Sequence, residues 1–425
     1  MKIRSITYFC NPKYPLDEKI LRQAGEFLAK AKSAYEAAGY EVQTVRLATI
    51  PFPKLLGEKN ISNLPKFAER FSNLIQQNGI EYASLGPALP DFRGLGDIGS
   101  LRAYEVIPEA IATSKNIFFS GVMAGNTDSK LSDSKIYLDA IRACANVIVK
   151  SAPIDLNGLA NLRFAALANV KAGAPFFPAA YHDSDKPAFA IATEAADLAV
   201  NAFSGRQTID DGRQILIASL SKHGQAITRV AEELSRLPTS DSHPPTFFGI
   251  DFSLAPFPDD AHSLGNAVEK MGVPKIGLHG SLAAAALLTE AVDRADFPRT
   301  GFSGFMQPVL EDSVLAQRAA EGTLTIKDLL LYSTVCGTGL DTVPLPGDTT
   351  VEQIIPLLLD LSALALRLDK PLTARLMPVP GKKAGEATAF TFGFFANSKI
   401  MQLDVEPLNS PLGGNESFSI QSRTK

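Results

Sequence analysis

Residues 3–9, IRSITYF, mix β-branched and aromatic side chains with polar ones at alternating positions, the pattern of a strand. The period then lengthens. Leu16, Ile20, Leu21, Ala24, Leu28, Ala31, Tyr35 and Ala38 mark one face of a helix over 16–39, which Gly39 ends. Residues 41–50, EVQTVRLATI, return to the strand pattern. A strand–helix–strand opening favours parallel strands joined by a crossover helix. The alternation continues through helix 64–77, strand 81–88, a helix around 101–113, buried strand 116–122, helix 133–150 and the strand-like stretch 162–173. Residues 189–203 begin as strand and end as helix, and 208–236 are helical. A polar break at 238–245 precedes the apolar run TFFGIDFSL and reads as a surface loop inside one domain. KIGLHG, helix 281–294, GFSGFMQPV and helices 312–320, 326–334 and 351–367 follow. Residues 371–404 switch to strand alternation, first LTARLMPV and then TAFTFGFFA.

No fixed-period repeat interrupts this series, and no boundary divides it. The expectation is a single large α/β barrel, closed or nearly so, over residues 1–408, with a flexible C-terminal tail at 409–425. The eight-fold barrel is the nearest alternative.

Composition narrows the function classes. The chain has 425 residues, 45% hydrophobic and 20% charged, which suits a globular protein with a large core. A net charge of −4 offers no basic field for nucleic acid or for an anionic membrane. Cys10, Cys144 and Cys336 lie far apart and form no CxxC pair, which argues against a disulfide framework and for a reducing compartment. The N-terminus reads as a strand instead of a signal peptide, and the apolar run 354–368 is interrupted by Asp360 and Ser362 and is too short to span a bilayer. A cytoplasmic protein is expected, acting on a small molecule, with a homodimer as the default assembly.

Chemistry is sought after the apolar runs, because ligands in α/β folds sit at the carboxyl ends of strands. In VCGTGLDTVPLPGD, Cys336, Asp341 and Asp348 share a short segment stiffened by Pro344 and Pro346. A nucleophilic thiolate needs a nearby histidine or helix N-terminus; the alternative is a turn holding an inert, buried cysteine. In GIDFSLAPFPDD, Asp251 offers a general base or metal ligand beside Ser253, or else a turn carboxylate. In GLHGSLAAAALL, His279 sits between glycines at the end of a predicted strand, and Ser281 is placed to cap the next helix. SGVMAGNTDSK carries Asn126 after a strand but lacks the Gly-Lys-Ser/Thr of a P-loop, and GLGDIG lacks the dinucleotide-binding spacing. In ARLMPVPGKKAGE, the two lysines read as a solvated turn, while Arg375 lies inside an apolar strand and suits a buried role toward an acidic group.

These stretches yield two readings. In the first, Cys336 is nucleophile or acid/base, His279 its proton partner, and Asp251, Asp341 and Asp348 orienting groups or ligands of a divalent cation, in an enzyme acting on a small polar or acidic metabolite. In the second, the same fold binds a small molecule without chemistry.

GIDFSLAPFPDD, GLHGSLAAAALLTEAV, GFSGFMQPVLEDSVLAQRAAEGTLTIKDL, VCGTGLDTVPLPGDTT and KPLTARLMPVPGKKAGE, in this order over about 245–386, resemble the family called domain of unknown function 711, or uncharacterised protein family 0210. KIRSITYF and FFSGVMAGNTDSK extend the resemblance more loosely into the N-terminal half. It implies a fold similar to the pyruvate formate-lyase-like glycyl-radical enzymes: a ten-stranded α/β barrel of two five-stranded halves, with VCGTG in an interior loop. Near the end of the chain, FGFFANSKIM lacks the arginine and pattern of a glycyl loop, so glycyl-radical chemistry is not expected.

Overall fold

The computed structural model describes residues 1–90, 96–125, 134–236 and 244–423. Asn126, GLGDIG in part, and most of the polar break at 238–245 lie outside them. The described strands are β1 (Lys2–Cys10), β2 (Val42–Thr49), β3 (Tyr82–Ala88), β4 (Ile117–Gly125), β5 (Lys135–Tyr137), β6 (Phe164–Ala168), β7 (Ala188–Glu194), β8 (Thr246–Ala255), β9 (Gly339–Pro346), β10 (Leu372–Val379) and β11 (Ser417–Ser419).

They form one mixed sheet of 11 strands, in the order β8-β7-β1-β2-β3-β4-β6-β10-β9, with β5 and β11 branching from β4. Strands β1, β2, β3, β4 and β6 run parallel to their neighbours in that order. β7 meets β1 antiparallel and β10 meets β6 antiparallel, while β7–β8 and β9–β10 are parallel pairs. The regular ladder is open, with β8 and β9 as its ends, where the sequence predicted a barrel closed or nearly so. Between those ends residues 299–308 make only isolated parallel bridges, Ile250–Arg299 and Ser253–Gly304 on one side and Pro308–Asp341 on the other. The glycines and Pro308 of this stretch break the regular hydrogen-bond series that a strand assignment needs.

The period-two alternation has a clear consequence. Val45 and Leu47 of β2, Ile250, Phe252 and Leu254 of β8, and Leu376 of β10 belong to the large core cluster shared with the helices. Their neighbours Thr44, Arg46, Asp251, Ser253 and Arg375 face the opposite side and line a single cavity. Strands well separated along the ladder share that cavity, so the sheet is strongly curled.

The helices follow their sequence signals. Asp17 caps Glu18–Ala37 by accepting from the Lys19 amide, and Leu21, Ala24, Leu28, Ala31 and Tyr35 bury the predicted face. Thr350 and Gln353 form a capping box at Val351–Arg367. No helix among the described residues is long and apolar enough to cross a membrane.

Three local expectations change. TAFTFGFFA is a loop, closed at its base by an Ala387–Lys399 bridge and by Thr388, which bonds Asn397 and Ser398. Side-chain bonds there replace a strand ladder. KIGLHG is a turn, and Gly280, at a positive φ of 103°, takes the cap position expected for Ser281. Within 409–425, expected as a flexible tail, β11 pairs antiparallel with β5 and the Arg423 amide bonds the Arg367 carbonyl.

Candidate functional site

The cavity has a volume of about 320 Å³ and opens on the sheet face turned away from the helices. Strand alternation puts basic and acidic side chains on its wall where a core would otherwise carry aliphatic ones. Burying a charge is costly unless it is paired, so the pairing is informative. Arg4 of β1 bridges Glu194 (3.1 Å) and Glu311. Glu311 continues to Arg375 (2.8 Å), and the Arg375 Nε donates to Asp341 at 2.5 Å. Gln43 adds a 2.7 Å bond to the Glu194 carboxylate. The result is one alternating chain, Glu194–Arg4–Glu311–Arg375–Asp341, that ties β7, β1, the 308–312 turn, β10 and β9 together. Burial pushes the Asp341 carboxyl up, and the Arg375 cation opposes it. Burial works to lower the Arg375 pKa, but Asp341 and Glu311 outweigh it and hold the guanidinium above its usual range.

Arg46 differs from these arginines. Among the described residues its guanidinium makes one hydrogen bond, Nε to Thr44 Oγ1 at 2.8 Å, and no carboxylate pairs with it. It lies over the rings of Phe177 (5.1 Å) and Tyr82 (6.0 Å). Burial, with the charge of Arg4 second, pulls its pKa down to about 9, so it remains a cation at neutral pH. Arg163, also on the wall, is lowered to about 10 by burial, and its terminal nitrogens bond the carbonyls of Ser114 and Ile111. Lys115 stands exposed at the rim.

Of the residues picked out in the sequence, Asp251, Ser253 and Arg375 line the cavity, and Asp341 stands directly behind Arg375. Asp251 accepts from three donors: Oδ1 from Ser253 Oγ (2.5 Å) and the Ser303 amide (2.9 Å), and Oδ2 from the Phe302 amide (3.0 Å). Burial raises its pKa, and these donors oppose the rise. Its first role is to hold the 299–308 segment against β8. Gly301, at φ +66°, comes so close that a Cβ there would stand 2.3 Å from Asp251 Oδ2.

The other picks lie elsewhere. Cys336 is buried outside the cavity lining, and its sulfur accepts from the Gly339 amide at 3.2 Å. His279 is exposed in its turn, and no hydrogen bond joins it to Cys336. Ser281 is buried, donating to the Leu278 carbonyl (2.7 Å) and accepting from the Gly277 amide. Asp348 is exposed in the turn after β9. Asp251, Asp341 and Asp348 are thus separated by their partners and their exposure. Among the described residues no group of three or more His, Cys, Asp or Glu could hold a metal ion.

Sequence reading missed Arg4, Arg46, Glu194 and Glu311. The first two carry the same signal that singled out Arg375, a lone charge inside a strand, in IRSI and TVRLAT.

Comparison with known proteins agrees with the motif order. The profile of the family described as Uncharacterised ACR (DUF711) matches residues 1–398, and the chain belongs to that family. A UPF0210 protein of Pyrobaculum aerophilum is 31% identical over 369 residues, 85% of this chain and 79% of its own length. UPF0210 proteins of Acetivibrio thermocellus (29% identical; 91% of this chain and 84% of the relative) and Sulfurisphaera tokodaii (28%; 89% and 85%) are similar over comparable lengths.

Proposed function

For this DUF711 member we propose binding of a small acidic metabolite in the cavity, with Arg46 receiving the acid group. One observation carries the reading: among the described residues the Arg46 guanidinium makes a single hydrogen bond and faces a cavity whose lining carboxylates, Asp251 and Glu311, are bonded to other groups. Arg46 is half-buried with no carboxylate paired to it among the described residues, and a ligand carboxylate would supply it with bidentate bonds. Ser253 adds a directed contact, because its proton is given to Asp251 and its lone pairs remain for the ligand.

The enzymatic form of the proposal places acid–base work on the Ser253–Asp251 pair instead of on Cys336 and His279. The two amides of the 299–308 segment that Asp251 accepts from favour the second form, a binding or regulatory protein. We read the sheet as the ten-stranded pyruvate formate-lyase-like barrel. Strands β1, β2, β3, β4 and β6 would form one half, and β7, β8, residues 299–308, β9 and β10 the other. The bridges made by 299–308 support that reading. A cytoplasmic protein working on a small molecule, without nucleic acid or membrane, fits the net charge of −4 and the three free cysteines.

Thermal-shift and calorimetric titration with mono- and dicarboxylic acids and inorganic phosphate test the proposal. At 100 times Kd a ligand stabilises the folded state by about 2.7 kcal/mol, an easily measured shift. Arg46→Gln is expected to abolish the shift while leaving the circular dichroism spectrum intact. Equal binding by the variant, or no binding of any acid by the wild-type chain, refutes it. A bound acid that wild type turns over and Ser253→Ala only binds would establish the enzymatic form.

A further inference from the structure

The acid site has an aromatic enclosure, and its composition bears on which acids fit. Tyr82, Phe118 and Phe177 meet edge to face, with Tyr82–Phe118 centroids at 5.6 Å and Phe118–Phe177 at 5.4 Å. Two of these rings, Tyr82 and Phe177, lie within 6.0 Å of the Arg46 guanidinium, whose planar fork suits a bidentate partner. A second aromatic wall comes from the loop after β10. Phe392 and Phe394, 5.4 Å apart on either side of Gly393, line the cavity, although Phe394 is 39% exposed. The base of this loop is pinned: Phe390 N bonds Asn397 Oδ1 at 2.7 Å and Ala396 N bonds the Leu310 carbonyl at 2.7 Å. A pinned loop that holds a partly exposed phenylalanine pair over a cavity is suited to covering an apolar body there.

Charge limits the acid group. Arg4, Arg46, Lys115, Arg163 and Arg375 line the cavity, and the acidic side chains on it or directly paired with its lining are Asp251, Glu311, Glu194 and Asp341. Among the described residues, five cations against four carboxylates leave an excess of one positive charge when all are ionised. That excess matches one carboxylate, and a phosphate dianion would face Glu311 and Asp251 uncompensated. The volume is at the small end of ligand sites, room for one or two rings with an acid group.

Resting on the acid-binding reading above, we infer that the ligand class of this cavity is an aromatic monocarboxylate, its acid on Arg46 and its ring between the Phe118–Phe177 wall and the Phe392–Phe394 tip. The test compares phenylacetate and indole-3-acetate with succinate, phenyl phosphate and uncharged indole by calorimetry on the full chain. The two aromatic monocarboxylates are expected to bind at least about tenfold more tightly than the others, a difference of about 1.4 kcal/mol. Phe392→Ala/Phe394→Ala is expected to erase that preference. Phe394→Ala alone, at a partly exposed position, is expected to fold and reduce the preference in the same direction. Succinate or phenyl phosphate binding as tightly as phenylacetate, or a preference unchanged in both loop variants, overturns this inference and leaves the acid-binding reading standing. No binding by any acid, or binding indifferent to Arg46→Gln, overturns both.

Discussion

Replacing Arg375 by methionine would break the ion chain at its most buried cation. Asp341 is fully buried and its Oδ1 takes the Arg375 Nε at 2.5 Å, so the substitution leaves a carboxylate with neither water nor cation. Glu311 keeps Arg4. Removing one partner of a buried pair costs about 3–5 kcal/mol, mostly through the stranded charge, and methionine preserves much of the packing against Phe176. Losing the cation raises the folded-state pKa of Asp341 further. A carboxyl whose folded pKa exceeds its unfolded value contributes stability below the unfolded pKa, and that contribution is lost as pH rises through the folded pKa. The deficit of the variant should therefore be larger at pH 8 than at pH 5. Adding Asp341→Asn removes the stranded charge, and the double variant should regain at least about 1 kcal/mol over Arg375→Met alone. Urea unfolding followed by far-UV circular dichroism at both pH values measures all of this. A loss below about 1 kcal/mol at pH 8, or strictly additive substitutions, would show that the ion chain is not the support described here.

The cysteines give two further tests. All three are buried, so the native protein should not react with a thiol reagent at pH 8, whereas the urea-unfolded protein should titrate three; fast labelling of Cys336 in the native state would restore it as a candidate nucleophile. Burial lifts the Cys10 thiol from 9.0 to about 12. Its contribution, on the order of 4 kcal/mol, is complete below pH 9 and lost as pH rises toward 12, so the slope of stability against pH in that window should be shallower in Cys10→Ala. Gly277→Ala is expected to lower stability by at least about 1–3 kcal/mol, since φ is +106° and the added Cβ would lie 2.2 Å from the Thr323 carbonyl oxygen; an unchanged urea midpoint would contradict that geometry.

Local pattern was enough for much of this protein. The face Leu21–Ala24–Leu28–Ala31–Tyr35 is buried as its spacing requires, because helical period is a property of neighbouring residues. The same holds for the strand–helix alternation, and the ordered motifs of 245–386 identified the family. Arg375 was legible as a charge inside an apolar strand, and its partners were not. Glu311 and Asp341 reach it from 64 and 34 residues away, so the pairing depends on strand order and register. Cys336, in a glycine-rich turn, and His279, between glycines at the end of a predicted strand, looked equally available, yet tertiary packing buried one beneath the Gly339 amide and left the other in solvent. The sequence by itself determined which residues could share a face of each element. Only the tertiary structure decided which faces meet, and hence that Arg46 enters a cavity with no carboxylate partner among the described residues, because a charge takes its meaning from groups distant in the chain.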